Sequence, residues 1–309
     1  MTPTHLALVG PTASGKTQLA LDFAQTLGDI EIVSVDSMQV YRGLDIGTAK
    51  PTPAERATVP HHLIDVADPS EDWSVARFQL AAREAVAAIE SRGHRALLVG
   101  GTGLYVQAVV DDLRFPGEDL DLRAELEAGT SEPGGVAAAY AELSARDPDA
   151  AARIDPHNAR RIVRALEVIR LTGKPFSSFG PGLGTFGPTA FPVRMAGVWL
   201  PRAVLAGRIA RRFAAMREAG LVDEVRRLAG SNGGLSRTAR QAIGYKEVLA
   251  HFEGAEPSVD AALETAARRT RSFARRQRMW FRRDPRISWY GAGENPASVR
   301  PALLASWSR

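Results

Sequence analysis

The run "ALVGPTASGKTQLA" at 7–20 decides the fold. It opens as a short apolar strand and turns through Gly10, Pro11, Thr12, Ala13, Ser14, Gly15, Lys16 and Thr17, which satisfy G-x-x-x-x-G-K-[ST]; an amphipathic helix follows and Gly28 closes it. Strand, glycine turn and helix in that order aim backbone N–H groups and a helix N-terminus at a phosphate. Lys16 adds a full charge, and the Thr17 hydroxyl can hold Mg²⁺. The pattern usually means ATP or GTP, but the motif itself requires only a diphosphate.

Working outward, "EIVSVD" (31–36) reads as a second buried strand ending in Asp36, and "HRALLVGGTGLYVQAVV" (94–110) as a third strand, a turn carrying Thr102 and another helix. "VRMAGVWL" (193–200) reads as a further strand. Strands alternating with helices predict an α/β fold: a phosphate-loop NTPase-like parallel sheet flanked by helices, with its ligand at the strands' carboxyl ends. Asp36 and Thr102 belong to that edge. From 119 to 175 the pattern is helical throughout, which predicts an all-helical insertion domain over 114–190 in a core made of 1–113 and 191–309. The Gly/Pro-rich "GPGLGTFGPTAFP" (180–192) is the loop expected to return the chain to the core.

The chain has 309 residues, enough for a large α/β domain with an insert. It has no cysteine, which removes disulfides, thiol nucleophiles and cysteine-ligated zinc. No apolar run approaches the roughly 18 residues of a membrane span, and Met1 to Thr4 lead directly into the first strand. A cytoplasmic protein, acting as a monomer without a membrane partner, is the expectation.

The net charge is only +4, so the distribution of charge is more informative than its total. "ARRTRSFARRQRMWFRRDPR" (267–286) places Arg268, Arg271, Arg275, Arg278 and Arg282 in a continuous helical stripe, with Phe273 and Trp280 on another face. Such a stripe fits either a nucleic-acid backbone or a solvated face. Arg160, Arg161 and Arg164 cluster within about a turn of one another, and Arg123 begins another helix of the insert. His61 and His62 are adjacent rather than at metal-ligand spacing and read as structural. Asp36, the nearest strand-end carboxylate to the loop, can serve as a metal-water ligand, a cap or a general base.

Taken in order, "GPTASGKT" (10–17), "SVDSMQVYRGLDIGTAKP" (34–51), "PHHLIDVADPSEDWSVARF" (60–78), "LLVGGTGLYVQAV" (97–109), "DPHNARRIVRALEVIRLTGKP" (155–175), "GLVDEV" (220–225) and "TARQAIGYKE" (238–247) resemble the bacterial tRNA isopentenyltransferase family over nearly the whole chain. The resemblance implies transfer of a dimethylallyl group from dimethylallyl diphosphate to N6 of the adenosine immediately 3′ of the anticodon in tRNA, with Mg²⁺. In that chemistry the loop holds a leaving group and no water has to be aimed at phosphorus. Thr12 then matches a threonine at the bridging oxygen, Arg208 and Arg212 a diphosphate clamp, and Asp36 the proposed base. Asp36, Ser37, Met38, Gln39 and Thr102 match contacts to the target nucleotide and its neighbours, while Arg240, Gln241, Gly244 and Tyr245 match a further tRNA-contacting segment. Arg123, Arg160, Arg161 and Arg164 are implied to grip the anticodon stem, with Arg271, Arg275 and Arg278 on the helical stripe. The sequence departs from the family in "RIARRFAAM" (208–216), where an aspartate is common.

Three rivals share parts of this pattern. A cytokinin-forming enzyme prenylates free AMP, ADP or ATP and needs neither the insert nor the stripe. A phosphate-loop kinase normally adds a second acidic strand end and a way to position its acceptor. A non-catalytic RNA-binding protein has no use for Lys16 and Thr17 in a preformed cradle.

Overall fold

The computed structural model describes residues 4–180 and 183–307; Met1 to Pro3, Pro181 and Gly182 of the expected return loop, Ser308 and Arg309 lie outside them. In chain order the elements begin β1 (His5–Val9), α1 (Lys16–Leu27), β2 (Ile30–Val35), α2 (Pro53–Thr58), β3 (His61–His62), α3 (Val75–Ser91), β4 (Arg95–Gly100) and α4 (Gly103–Val110). Helices α5 (Leu120–Ser131), α6 (Gly135–Arg146), α7 (Pro148–Ala151) and α8 (Ala159–Thr172) follow. The chain continues with β5 (Val193–Trp199), α9 (Arg202–Glu218), α10 (Leu221–Ala229), α11 (Tyr245–Phe252), α12 (Val259–Phe281), β6 (Ile287–Gly291) and α13 (Arg300–Trp307).

Six strands pair in parallel in the order β3-β2-β4-β1-β5-β6, with Leu8 of β1 opposite Val99 and Ala196. Both faces are covered, which is why β1 reads as an unbroken apolar run. Successive residues alternate sides: Ala7, Val9, Val33, Val35 and Leu98 enter one core with Phe78, Tyr105 and Phe281. Leu6, Leu8, Ile30, Ile32 and Leu97 enter another with Leu19, Phe23 and Trp307. The sequence reading did not contain β3 or β6. β3 has only two residues, and β6 is a five-residue edge strand, "ISWYG", too short to show alternation.

The chain divides into two compact units, one running to Asp112 and resuming at Pro188, the other Leu113–Gly187. Pro188 to Ala190 fall in the first unit rather than the insert, and the Ala190 N–H donates to the Val110 carbonyl at 2.8 Å. The second unit has its own core, in which Leu126, Leu143, Ile162, Leu166 and Ile169 converge. At its centre Glu167, fully buried, accepts from the Asp119 N–H and from both Nε and Nη2 of Arg123, each at 3.0 Å, and pairs with Arg164 at 2.9 Å. Burial raises this carboxyl's pKa, but the Asp119 N–H and the two guanidinium groups outweigh it and hold the group below its ordinary range. Arg164 also donates to the carbonyls of Pro116 and Gly117. Arg123 and Arg164, expected to grip tRNA, are thus both engaged inside the insert: a buried carboxylate must be paired, and these two arginines pair it. Arg160 and Arg161 are exposed, with no ion-pair partner among the described residues.

Candidate functional site

The phosphate loop is shaped by backbone that few residues tolerate. Gly10 has φ +149°, and a Cβ there would stand 2.4 Å from the Val198 carbonyl oxygen; Gly15, at φ +87°, caps α1 with Pro296 against it. Ala13 between them is also left-handed, at φ 62°. The loop wraps Lys16, whose Nζ donates to the Pro11 carbonyl at 2.7 Å and to Ser14 Oγ at 3.4 Å. Burial lowers the Lys16 pKa to about 7; Asp36 opposes the shift and Arg212 adds to it. Burial also lowers Arg212, against the pull of Asp36. Burial of two cations side by side suits a site that binds an anion.

Helix α9 delivers two arginines to the loop. Arg208 Nε donates to the Ala13 carbonyl at 2.8 Å, and Arg212 Nη1 donates to Thr12 Oγ1 at 3.0 Å. Thr12 through Thr17, Asp36, Gln39, Arg208 and Arg212 line one cleft of about 700 Å³. Gly10 and Pro11 are buried and do not line the cleft, nor do the half-buried Ser37, Met38 and Thr102. Asp36 follows the end of β2, and its Oδ1 accepts from the N–H groups of Met38 at 2.9 Å and Gln39 at 3.4 Å. Oδ2 has no partner among the described residues. Gln39 is engaged internally: its Oε1 accepts from Ser34 Oγ at 2.8 Å and its Nε2 donates to the Thr48 carbonyl at 3.2 Å.

The cleft wall over 45–47 depends on Glu224, a buried carboxylate that accepts from the N–H groups of Asp45, Ile46 and Gly47 and from Tyr245 Oη at 2.5 Å. Tyr245 is fully buried, pushed upward in pKa by burial and by Glu224, and Gly244 is buried beside it. Both are expected from the sequence to contact tRNA, and in the fold neither offers surface. Arg240 is half-buried and paired with Glu253 at 2.5 Å, and the exposed Gln241 accepts from Lys246 Nζ at 2.8 Å.

Sequence reasoning also missed Gln277 and Glu224. Glu224 carried a readable signal, an acidic residue on the apolar stripe of Leu221, Val225 and Leu228. Gln277 is the one uncharged polar residue of "ARRQRMW" (274–280) and faces inward, accepting from the Thr12 N–H at 2.9 Å. His61, read as structural, lines the cleft; its Nδ1 is tied to the Val59 carbonyl and its buried Nε2 has no partner among the described residues.

The expected stripe on α12 is modified. Arg271, Arg275 and Arg282 are exposed, but Arg278 is half-buried, with its guanidinium 5.1 Å from the centre of the Trp199 ring.

A model of the IPP transferase family matches residues 39–284. The chain belongs to this family. A second family model, isopentenyl transferase, matches residues 4–65, so the two together take in the loop, Asp36 and α12 of this IPP transferase. The chain is 49% identical to a tRNA dimethylallyltransferase of Streptomyces coelicolor, over 98% of this chain and 95% of the relative. It is 47% identical to one of Bifidobacterium longum, over 98% and 90%. Among solved structures, the full-length tRNA isopentenylpyrophosphate transferase of Bacillus halodurans is 40% identical with a TM-score of 0.70, covering 99% of this chain and 97% of that one. A eukaryotic dimethylallyltransferase acting on tRNA is 27% identical with a TM-score of 0.79, covering 98% and 78%.

Proposed function

We propose that this IPP transferase moves the dimethylallyl group of dimethylallyl diphosphate onto N6 of the adenosine immediately 3′ of the anticodon in tRNA, releasing diphosphate. One observation carries the reading: Lys16 and Arg212 converge on the phosphate loop in the same cleft that holds the free carboxylate oxygen of Asp36. Charge builds on the departing bridging oxygen as the C1–O bond breaks, and the preorganised cations meet it. Thr12, whose Oγ1 accepts from Arg212, is proposed to donate its hydroxyl proton to that oxygen. The electron pair of the C–O bond leaves with the diphosphate. N6 is a weak nucleophile because its lone pair is delocalised into the ring, so its proton has to go to Asp36 as the N–C bond forms.

The residues suit a divalent ion carried by the donor. Among the described residues no group of three His, Cys, Asp or Glu forms a cage, but the exposed Thr17 hydroxyl on the cleft wall makes no hydrogen bond there. A hydroxyl with substrate phosphate oxygens and waters is a donor set Mg²⁺ accepts, and Thr17 would hold it. When bound, the ion would neutralise charge on the leaving diphosphate.

A base stacked within the anticodon loop cannot reach a cleft of this kind, so the target nucleotide has to flip out of that stack. Arg160 and Arg161 of the insert and Arg271 and Arg275 of α12 are exposed cations without an ion-pair partner among the described residues, and they are proposed to meet the tRNA backbone. Among the described residues no helix is long and apolar enough to cross a membrane. The protein is proposed to act as a monomer, and the tRNA substrate supports a cytoplasmic site of action.

The test incubates the protein and Mg²⁺ with labelled dimethylallyl diphosphate and either unmodified tRNA or AMP. Label should enter tRNA alone; label in AMP, or tRNA-independent ATP hydrolysis, overturns the assignment. Binding of tRNA should also weaken with salt, each phosphate contact contributing a slope of about −0.7 to −0.9 in log K against log salt. Replacing both Arg271 and Arg275 with Ala should flatten that slope by about 1.5 without changing diphosphate affinity. An unchanged slope would return the two side chains to a solvated face.

A further inference from the structure

Gln277 is buried on the inner side of α12, with 6% exposure, and both ends of its amide are used. Oε1 accepts from the Thr12 N–H at 2.9 Å, and Nε2 donates to the Gly101 carbonyl at 2.9 Å. The approach depends on residue 101 being glycine, since a Cβ there would stand 2.3 Å from Nε2. Both partners lead into the site. Thr12 lies in the phosphate loop and holds Arg212 through its hydroxyl. Gly101 precedes Thr102, whose Oγ1 accepts from the N–H of Ser37 at 3.4 Å, one residue beyond Asp36. A single side chain thus ties the diphosphate loop to the turn beside Asp36. It projects from a helix whose opposite side carries exposed Arg271 and Arg275.

We propose that Gln277 is a positioning residue that sets the diphosphate loop against Asp36 and transmits tRNA occupancy of α12 to the donor site; the second half rests on the tRNA reading above. An amide is suited to the task because one contact requires an acceptor and the other a donor. Glutamate keeps the acceptor, loses the donor, and brings a negative charge toward the place the diphosphate must occupy. Methionine matches the length and leaves the Thr12 N–H and the Gly101 carbonyl unpaired. Misplacing reacting groups by about an ångström costs about 10²-fold in rate.

The experiment measures the Kd of inorganic diphosphate with and without tRNA, the Kd of tRNA, and the single-turnover rate with both substrates saturating, for the parent, Gln277→Met and Gln277→Glu. In the parent, tRNA should tighten diphosphate binding at least about fivefold, the low end of ordinary coupling between sites. Gln277→Met should abolish most of that tightening, bind tRNA within about twofold of the parent, and transfer about 10²-fold more slowly at saturation. Gln277→Glu should weaken diphosphate binding even without tRNA. A folded Gln277→Met with the parent's tightening and a rate within about threefold overturns the proposal, as does a parent that shows no tightening. If the methionine variant does not fold, Gln277→Glu decides by the same measurements, parent-like values overturning the clamp. A parent that binds diphosphate but transfers nothing to tRNA would sink the functional assignment instead, and the diphosphate affinities of the variants would still decide the clamp.

Discussion

Asp36→Asn should transfer dimethylallyl about 10²–10⁴ times more slowly than the parent in a single turnover, the usual contribution of a general base. The structure explains why the substitution isolates that role. Oδ1 of Asp36 does the local structural work, accepting from the N–H groups of Met38 and Gln39, and an asparagine carbonyl oxygen can accept the same two bonds. What changes is the oxygen with no partner among the described residues, which becomes an NH₂ unable to take a proton. Binding of tRNA and of dimethylallyl diphosphate should therefore survive. A metal-ligand role for Asp36 makes a different forecast, because diphosphate affinity would fall with the rate and high Mg²⁺ would restore both. Measuring the saturated single-turnover rate across a Mg²⁺ titration separates the two. A rate within threefold of the parent, or one recovered by metal, would remove Asp36 from the base role.

What could be read from the sequence follows the range of the interactions concerned. The loop at 10–17 is legible because its strand, turn and helix are contiguous, and its glycines and lysine are dictated by local backbone and by the anion. Asp36 is legible because a strand end in a parallel sheet faces the ligand edge. Gln277 is not, since its bond to the Thr12 N–H joins residues 265 apart. Charge misleads in a related way. Arg123 and Arg164 look like Arg160 and Arg161 in a row of letters, and only folding reveals that the first two face Glu167. Motif matching has the same weakness at Tyr245, because it locates a residue in the chain without saying whether it faces solvent or the Glu224 carboxylate.

Lys16→Met should lower transfer about 10²–10³-fold, the loss of one preorganised charge stabiliser, and should also change how the protein responds to pH. Burial holds the Lys16 pKa at about 7, against an ordinary value of 10.5. Between these two values the folded chain binds fewer protons at this position than the unfolded chain, so the lysine's contribution to stability rises with pH through that window. It rises by about 1.4 kcal/mol per unit between the two values and is lost as pH falls through 7, below which the buried ammonium becomes fully charged. The methionine variant should therefore unfold at higher denaturant than the parent at pH 6.5, with the advantage shrinking toward pH 10. Function runs the other way. An arriving diphosphate replaces the lost hydration of the ammonium and raises its pKa, so donor binding above pH 7 must take up a proton. Calorimetry at pH 8 in buffers of different ionisation enthalpy should show uptake of about one proton by the parent and about none by Lys16→Met. The parent's Kd for the donor should rise up to about tenfold per pH unit above 7, while the variant's weaker Kd should stay flat. Equal proton uptake by the two proteins would mean that Lys16 enters the complex already charged, and that the cradle is better hydrated than its burial implies.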